Sequence, residues 1–256
     1  MNGDIAATTS VISVNLWLIV MVFAASFAGV VIQSVAGFGY PIVLMTILPL
    51  IIPDLSIAVA AANVSTIFAG SMQVWRHRRS AQWKLLPPLL GCYFVTSYFA
   101  ILFAATHPVG VLRRPMGAFL IFLAAYFIFF ASKIKIKGSP IAGCVAGCIS
   151  GVTGGLFAIP APPMAVYVLS VTSSNAAYAG TIQAFLLSAN IYTTIMRFIN
   201  GLITHSVLMV VIPAIMGIVI GIKLGTKLFD KLDPVRLRRV VYVFMAASGL
   251  LILITG

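Results

Sequence analysis

Apolar positions along this chain gather into ten runs instead of alternating with polar ones. The runs cover roughly 12–36, 40–52, 55–74, 85–105 and 115–131, then 140–152, 157–170, 175–197, 206–228 and 240–255. Stretches of about 17 to 25 apolar residues match a hydrocarbon core about 30 Å thick. Backbone N–H and C=O groups cannot stay unpaired in lipid, so such stretches must form helices or a closed barrel. Barrel strands alternate apolar and polar positions, and these runs do not. The pattern therefore predicts an all-α, polytopic helical membrane protein with about 8–10 membrane segments. The shortest runs, at 1.5 Å per residue, reach only about 20 Å and read as half-helices or re-entrant hairpins.

The runs also repeat. Gln33-Ser34-Val35-Ala36-Gly37-Phe38-Gly39-Tyr40-Pro41 interrupts the apolar sequence early, and about 118 residues later Gly151-Val152-Thr153-Gly154-Gly155 and Pro160 do so again. Each interruption is followed by a short apolar run and then by a longer one carrying an amide, Asn63 in one copy and Gln183 in the other. Each copy closes on a basic knot before its last run, Leu112-Arg113-Arg114 and Leu237-Arg238-Arg239. The division expected is a first transmembrane repeat over 1–131, a basic cytoplasmic linker over 132–139 and a second repeat over 140–256. Glycine-interrupted segments at matching places in two repeats point to a transporter's binding site.

Composition sharpens the class. Of 256 residues, 61% are hydrophobic and 8% charged, with mean hydropathy +1.13, too little charge for a water-facing surface. The net charge of +12 lies largely in short loops, where the excess of basic residues on the cytoplasmic side accounts for it without nucleic acid. Placing Arg76-His77-Arg78-Arg79 to Lys84, Lys133 to Lys137 and Lys223 to Arg239 in the cytoplasm puts the 106–114 and 198–205 loops outside, with both termini outside. Corresponding loops then lie on opposite sides, which predicts that the repeats are inverted. Arg113 and Arg114 fall in an outward loop and resist the scheme. No basic stretch precedes the first run, so that run is expected to stay as a span. Cys92, Cys144 and Cys148 sit in apolar surroundings and read as packing residues rather than metal ligands.

The glycines would let the backbone bend and approach a ligand, and the helices that follow, with Pro41 and Pro160 near their starts, would aim unpaired N–H groups at an anion. Close helix packing is the plainer use of such glycines. On the helices that carry the amides, Asn63, Thr66, Gly70 and Gln73 share one face, as do Gly180, Gln183, Asn190, Thr194 and Arg197. Arg197 could snorkel to the interface or close one end of an anion route. The candidate substrate-binding residues are Gln33, Ser34, Gly37, Phe38, Gly39 and Tyr40 at the first break, with Asn63 after it. At the second they are Thr153, Gly154 and Gly155, followed by Gln183, Asn190 and Arg197. The four acids are Asp4, Asp54, Asp230 and Asp233, and none lies inside a run, which suits an anionic solute better than a cation. No catalytic, metal or cofactor motif is present. The partners expected are a small anionic substrate and the lipid bilayer, with a homodimer open.

Ala36-Gly37-Phe38-Gly39 followed by Pro41, the helix of Asn63, and the second copy from Gly151 to Pro160 with Gln183 resemble the TauE/SafE family of sulfite exporters. The likeness covers essentially the whole chain. It implies a secondary transporter of the bacterial inner (cytoplasmic) membrane, not an enzyme, that exports sulfite, sulfonates or related sulfur-containing anions by alternating access. The second copy departs from the family pattern, since its first proline after the glycines is Pro160, followed by Pro162 and Pro163. A passive anion channel and a non-transporting membrane subunit are the alternative readings.

Overall fold

The computed structural model describes residues 16–36, 39–130, 138–228 and 234–255. Gly37, Phe38 and most of the expected linker lie outside the described residues. Among the described residues ten α-helices follow one another: α1 (Leu16–Ala36), α2 (Tyr40–Ile51), α3 (Leu55–His77), α4 (Leu86–Thr106), α5 (Val109–Ala125), α6 (Pro140–Phe157), α7 (Ala161–Val171), α8 (Asn175–Ile199), α9 (His205–Leu228) and α10 (Pro234–Thr255). A 3-10 turn, Trp83–Leu85, leads into α4, and a π-helical segment, Tyr126–Phe130, closes α5. Among the described residues, seven helices are long and apolar enough to cross a membrane. Large apolar side chains such as Trp17, Phe99, Phe122, Ile212 and Ile254 stand exposed on the outside, a surface suited to lipid and not to water.

Local chemistry sets several of the boundaries. Asp54 caps α3 by accepting the Ser56 N–H at 2.8 Å, and Ser139 and Ser174 cap α6 and α8 by accepting from Ala142 and Ala177, each at 3.2 Å. Gly39 stands before α2 at φ 128°, a conformation that a side chain resists, and Pro41 occupies the first turn, where its missing N–H costs nothing. At 12 and 11 residues, α2 and α7 are about 16–18 Å long, too short to cross.

Two expectations need correcting. The second break does not fall at Gly151, Gly154 and Gly155, which lie inside α6; it falls at Ala158–Pro160. There Ala158 takes the left-handed conformation, and the N–H groups of Ala158 and Ile159 bond back to the Gly154 and Thr153 carbonyls at 3.1 and 3.3 Å. Gly147, Gly151 and Gly155 instead form a stripe that lets α6 lie against α4. A Cβ at Gly147 would stand 2.9 Å from the Leu89 carbonyl, and one at Gly155 2.9 Å from that of Ser97. The second correction concerns the basic knots: α5 begins at Val109 and not near 115, and α10 at Pro234 and not near 240, so Arg113, Arg114, Arg238 and Arg239 are helical and not in loops. Pro115 comes early enough to interrupt only the second turn, and the Arg113 guanidinium is held by the Pro49 carbonyl at 3.0 Å.

The five helices before the expected linker and the five after it pair reciprocally. α6 runs parallel to α4, with Gly143 beside Leu89 and Gly155 beside Ala100; α9 runs parallel to α1, with Gly217 beside Phe23 and Gly221 beside Phe27. The first of each five thus packs on the fourth of the other five. Two further pairs, α3 with α8 and α5 with α10, pack on each other antiparallel. Along α3 and α8, Asn63 meets Thr193, Gly70 faces Leu187, and Gly180 meets His77 and Ala81. Along α5 and α10, Gly117 lies on Gly249 and Leu253, and Phe127 stacks on Tyr242.

Candidate substrate site

The antiparallel crossing of α3 and α8 brings the polar faces of both helices into the middle of the bundle. On α8, Gln183, Asn190, Thr193 and Arg197 share a helical face and are all buried. From Gln183 to Arg197 the face climbs about 21 Å at 1.5 Å per residue, so it is a seam and not a point. The neighbouring helices complete it. Gln33 of α1 donates its amide to the Gln183 side-chain oxygen at 3.5 Å, and Thr193 donates to the Asn63 side-chain oxygen of α3 at the same distance. Asn190 donates to the Leu186 carbonyl at 2.7 Å.

Much of this seam is left wanting. Gln33 Oε1, Asn63 Nδ2, Ser150 Oγ, Asn190 Oδ1, Thr194 Oγ1 and Arg197 Nε are buried without a hydrogen-bond partner. A buried group left unpaired costs about 1–3 kcal/mol, and such groups are rare enough in proteins that a cluster of them needs a reason.

Arg197 ends the seam. It is 1% exposed and is the only charged side chain among the described residues that is fully buried. Burial rules out snorkelling to the interface. Its Nη2 donates to the Gly155 carbonyl of α6, and no carboxylate pairs with it among the described residues. It lines a small, partly open pocket, together with Ser56 and the apolar Leu55, Val59, Ala104, Leu112 and Leu156. An uncompensated guanidinium in an apolar bundle costs several kcal/mol, and a bound anion would relieve that cost.

The remaining candidates sit as follows. Gln33 and Gln183 meet each other, while Asn63 meets Thr193, ten residues and about 15 Å farther along α8. The two amides therefore lie at separate points along α8 and do not meet. Ser34 turns its hydroxyl back to the Val30 carbonyl at 2.8 Å, and Tyr40 reaches Ser26 on α1 at 3.3 Å. Thr153 is likewise spent on its own helix, donating to the Ile149 carbonyl at 3.1 Å, and Gly154 faces the Tyr93 hydroxyl and Pro160. Gly39 adjoins the start of α2, whereas Gly37 and Phe38 lie outside the described residues. The start of α7 is poor in donors, because Pro160, Pro162 and Pro163 have no N–H to offer an anion. Thr193, Ser150 and Tyr93 escaped the sequence reading. Thr193 could have been found, being three residues after Asn190 on the same face; nothing local marked Tyr93 on α4.

Searches among curated proteins and among solved structures returned no match. The family model for Sulfite exporter TauE/SafE, in contrast, matches residues 21–252, so that both breaks, both amide helices and Arg197 fall within it. With nearly the whole chain matched and an all-helical, multi-pass membrane fold, this protein belongs to the TauE/SafE family of sulfite-exporter-type transporters.

Proposed function

We propose that this chain is a secondary transporter that moves a small sulfur oxyanion, sulfite or a sulfonate, outward across the cytoplasmic membrane by alternating access. The observation that carries the reading is Arg197: a buried cation with no acid partner among the described residues, lining a pocket at the end of a seam of unsatisfied amides and hydroxyls. The anion would bind at Arg197 and Ser56 and pass along Asn63, Thr193 and Asn190 to Gln33 and Gln183. The antiparallel run of α3 on α8 and of α5 on α10 supports inverted repeats, the arrangement in which one repeat rocks against the other about a fixed site. With the basic stretch Arg76 to Lys84 in the cytoplasm, the Arg197 pocket opens outward, while at the opposite end Gly180 packs closely on His77 and Ala81. A negative interior favours expulsion of an anion by about 2.3 kcal/mol per charge per 100 mV, so no buried carboxylate is required to drive export.

The test is uptake of labelled sulfite into proteoliposomes. Asn63→Ala and Gln183→Ala should each lower the rate, and Arg197→Gln should lower it about 10–100-fold, the worth of a charge-assisted hydrogen bond. Unchanged transport in all three variants would exclude the seam as the route.

A further inference from the structure

We propose that the Arg197 pocket selects solutes bearing a single negative charge, so that sulfite binds as the hydrogensulfite monoanion and sulfate is refused. The inference rests on the reading of Arg197 as an anion contact and adds the protonation state of what it accepts.

The argument is one of charge balance in an apolar enclosure. Arg197 contributes one positive charge, its Nη2 is spent on the Gly155 carbonyl, and its Nε is open. Leu55, Val59, Ala104, Leu112 and Leu156 supply apolar wall, and Ser56 supplies the one neutral hydroxyl. A monoanion cancels the charge of the guanidinium. A dianion leaves one negative charge buried without a counterpart, which low-dielectric surroundings penalise heavily.

Among the described residues no second cation lines the pocket. Arg113, next to Leu112 on α5, is bound to the Pro49 carbonyl of α2 at 3.0 Å, and Arg114 is exposed. His107 is exposed at the end of α4, stacked on Phe103 with ring centroids 3.9 Å apart. Tyr93 of α4 is a neutral neighbour of Arg197, and Tyr192 of α8 stacks on Phe94 at 4.2 Å. Asp54, two residues from Ser56, caps α3 and adds negative potential, which disfavours a dianion further.

Hydrogensulfite loses its remaining proton close to neutral pH, whereas methanesulfonate stays a monoanion and sulfate a dianion. Dissociation constants of purified protein for these three ions, measured from mildly acidic to alkaline pH, separate the cases. Affinity for total sulfite should fall about tenfold per pH unit above the ionisation of hydrogensulfite. Methanesulfonate affinity should stay level; any drift in it reports the protein's own groups and is divided out of the sulfite curve. Sulfate should bind at least tenfold more weakly than methanesulfonate throughout. Sulfate binding as tightly as methanesulfonate, or sulfite affinity that holds or rises with pH, overturns monoanion selection while leaving the anion site intact. Arg197→Gln should weaken methanesulfonate at least tenfold, and Arg197→Lys, which keeps the charge, should retain the preference over sulfate. If methanesulfonate binds a monodisperse Arg197→Gln protein as it binds the parent, the site reading fails, and the selectivity with it.

Discussion

Gly151 and Gly91 are both helical glycines, and a methyl group added to each would meet opposite surroundings. At Gly151 it would collide with the Thr96 side chain and stand 2.7 Å from the Tyr93 carbonyl, a backbone atom that cannot swing aside. At Gly91 it would meet nothing within 4 Å. Gly151→Ala gains up to about 1 kcal/mol of helix propensity but incurs about 1–3 kcal/mol of overpacking, so a net loss is expected. Gly91→Ala gains the propensity alone. Thermal unfolding in detergent should lower the midpoint for the first and leave or raise it for the second. The same contrast shows why residues were harder to read than helices. A glycine every fourth position signals a bend and a close contact alike, and the deciding atoms belong to α4, about fifty residues away in sequence. Arg197 posed the same difficulty, since its burial depends on the end of α6 arriving beside it.

At the scale of elements, the two ends of the α3–α8 pair differ. One end holds the Arg197 pocket. At the other, a Cβ on Gly180 would lie 2.7 Å from the His77 carbonyl and the Ala81 nitrogen, and the Gln82 N–H donates to Thr181 at 2.9 Å. A carrier that alternates must part this second contact and remake it in each cycle. Gly180→Leu should prevent the remaking, abolishing net transport while exposing the turn beneath. A cysteine placed at Ala184, 2% exposed in the native packing, should then react with a hydrophilic thiol reagent in the Gly180→Leu background. Where Gly180 is kept it should react more slowly, only while the contact is parted in the cycle. Most helix limits were legible because turn chemistry announces them: Asp54 before α3, Ser139 before α6 and Ser174 before α8 sit where the apolar runs begin. The start of α5 was not, because Arg113, Arg114 and Pro115 look like loop and are carried by a helix whose cation is tied to the Pro49 carbonyl.

For the whole molecule, orientation is the open quantity that charge and packing jointly address. Ser80 and His107 are exposed at opposite ends of α4. With the basic stretch inside, a cysteine at Ser80 should label only after the cells are permeabilised, and one at His107 in intact cells. The reverse pattern would turn the Arg197 pocket toward the cytoplasm. The reciprocal pairing of helices has a consequence for biogenesis. α1 is made first, yet the surface that Gly217 and Gly221 offer it belongs to α9, almost the last helix to emerge. Lipid must occupy that face of α1 throughout synthesis, and the final zipping of α9 along it is what turns a string of inserted segments into one machine.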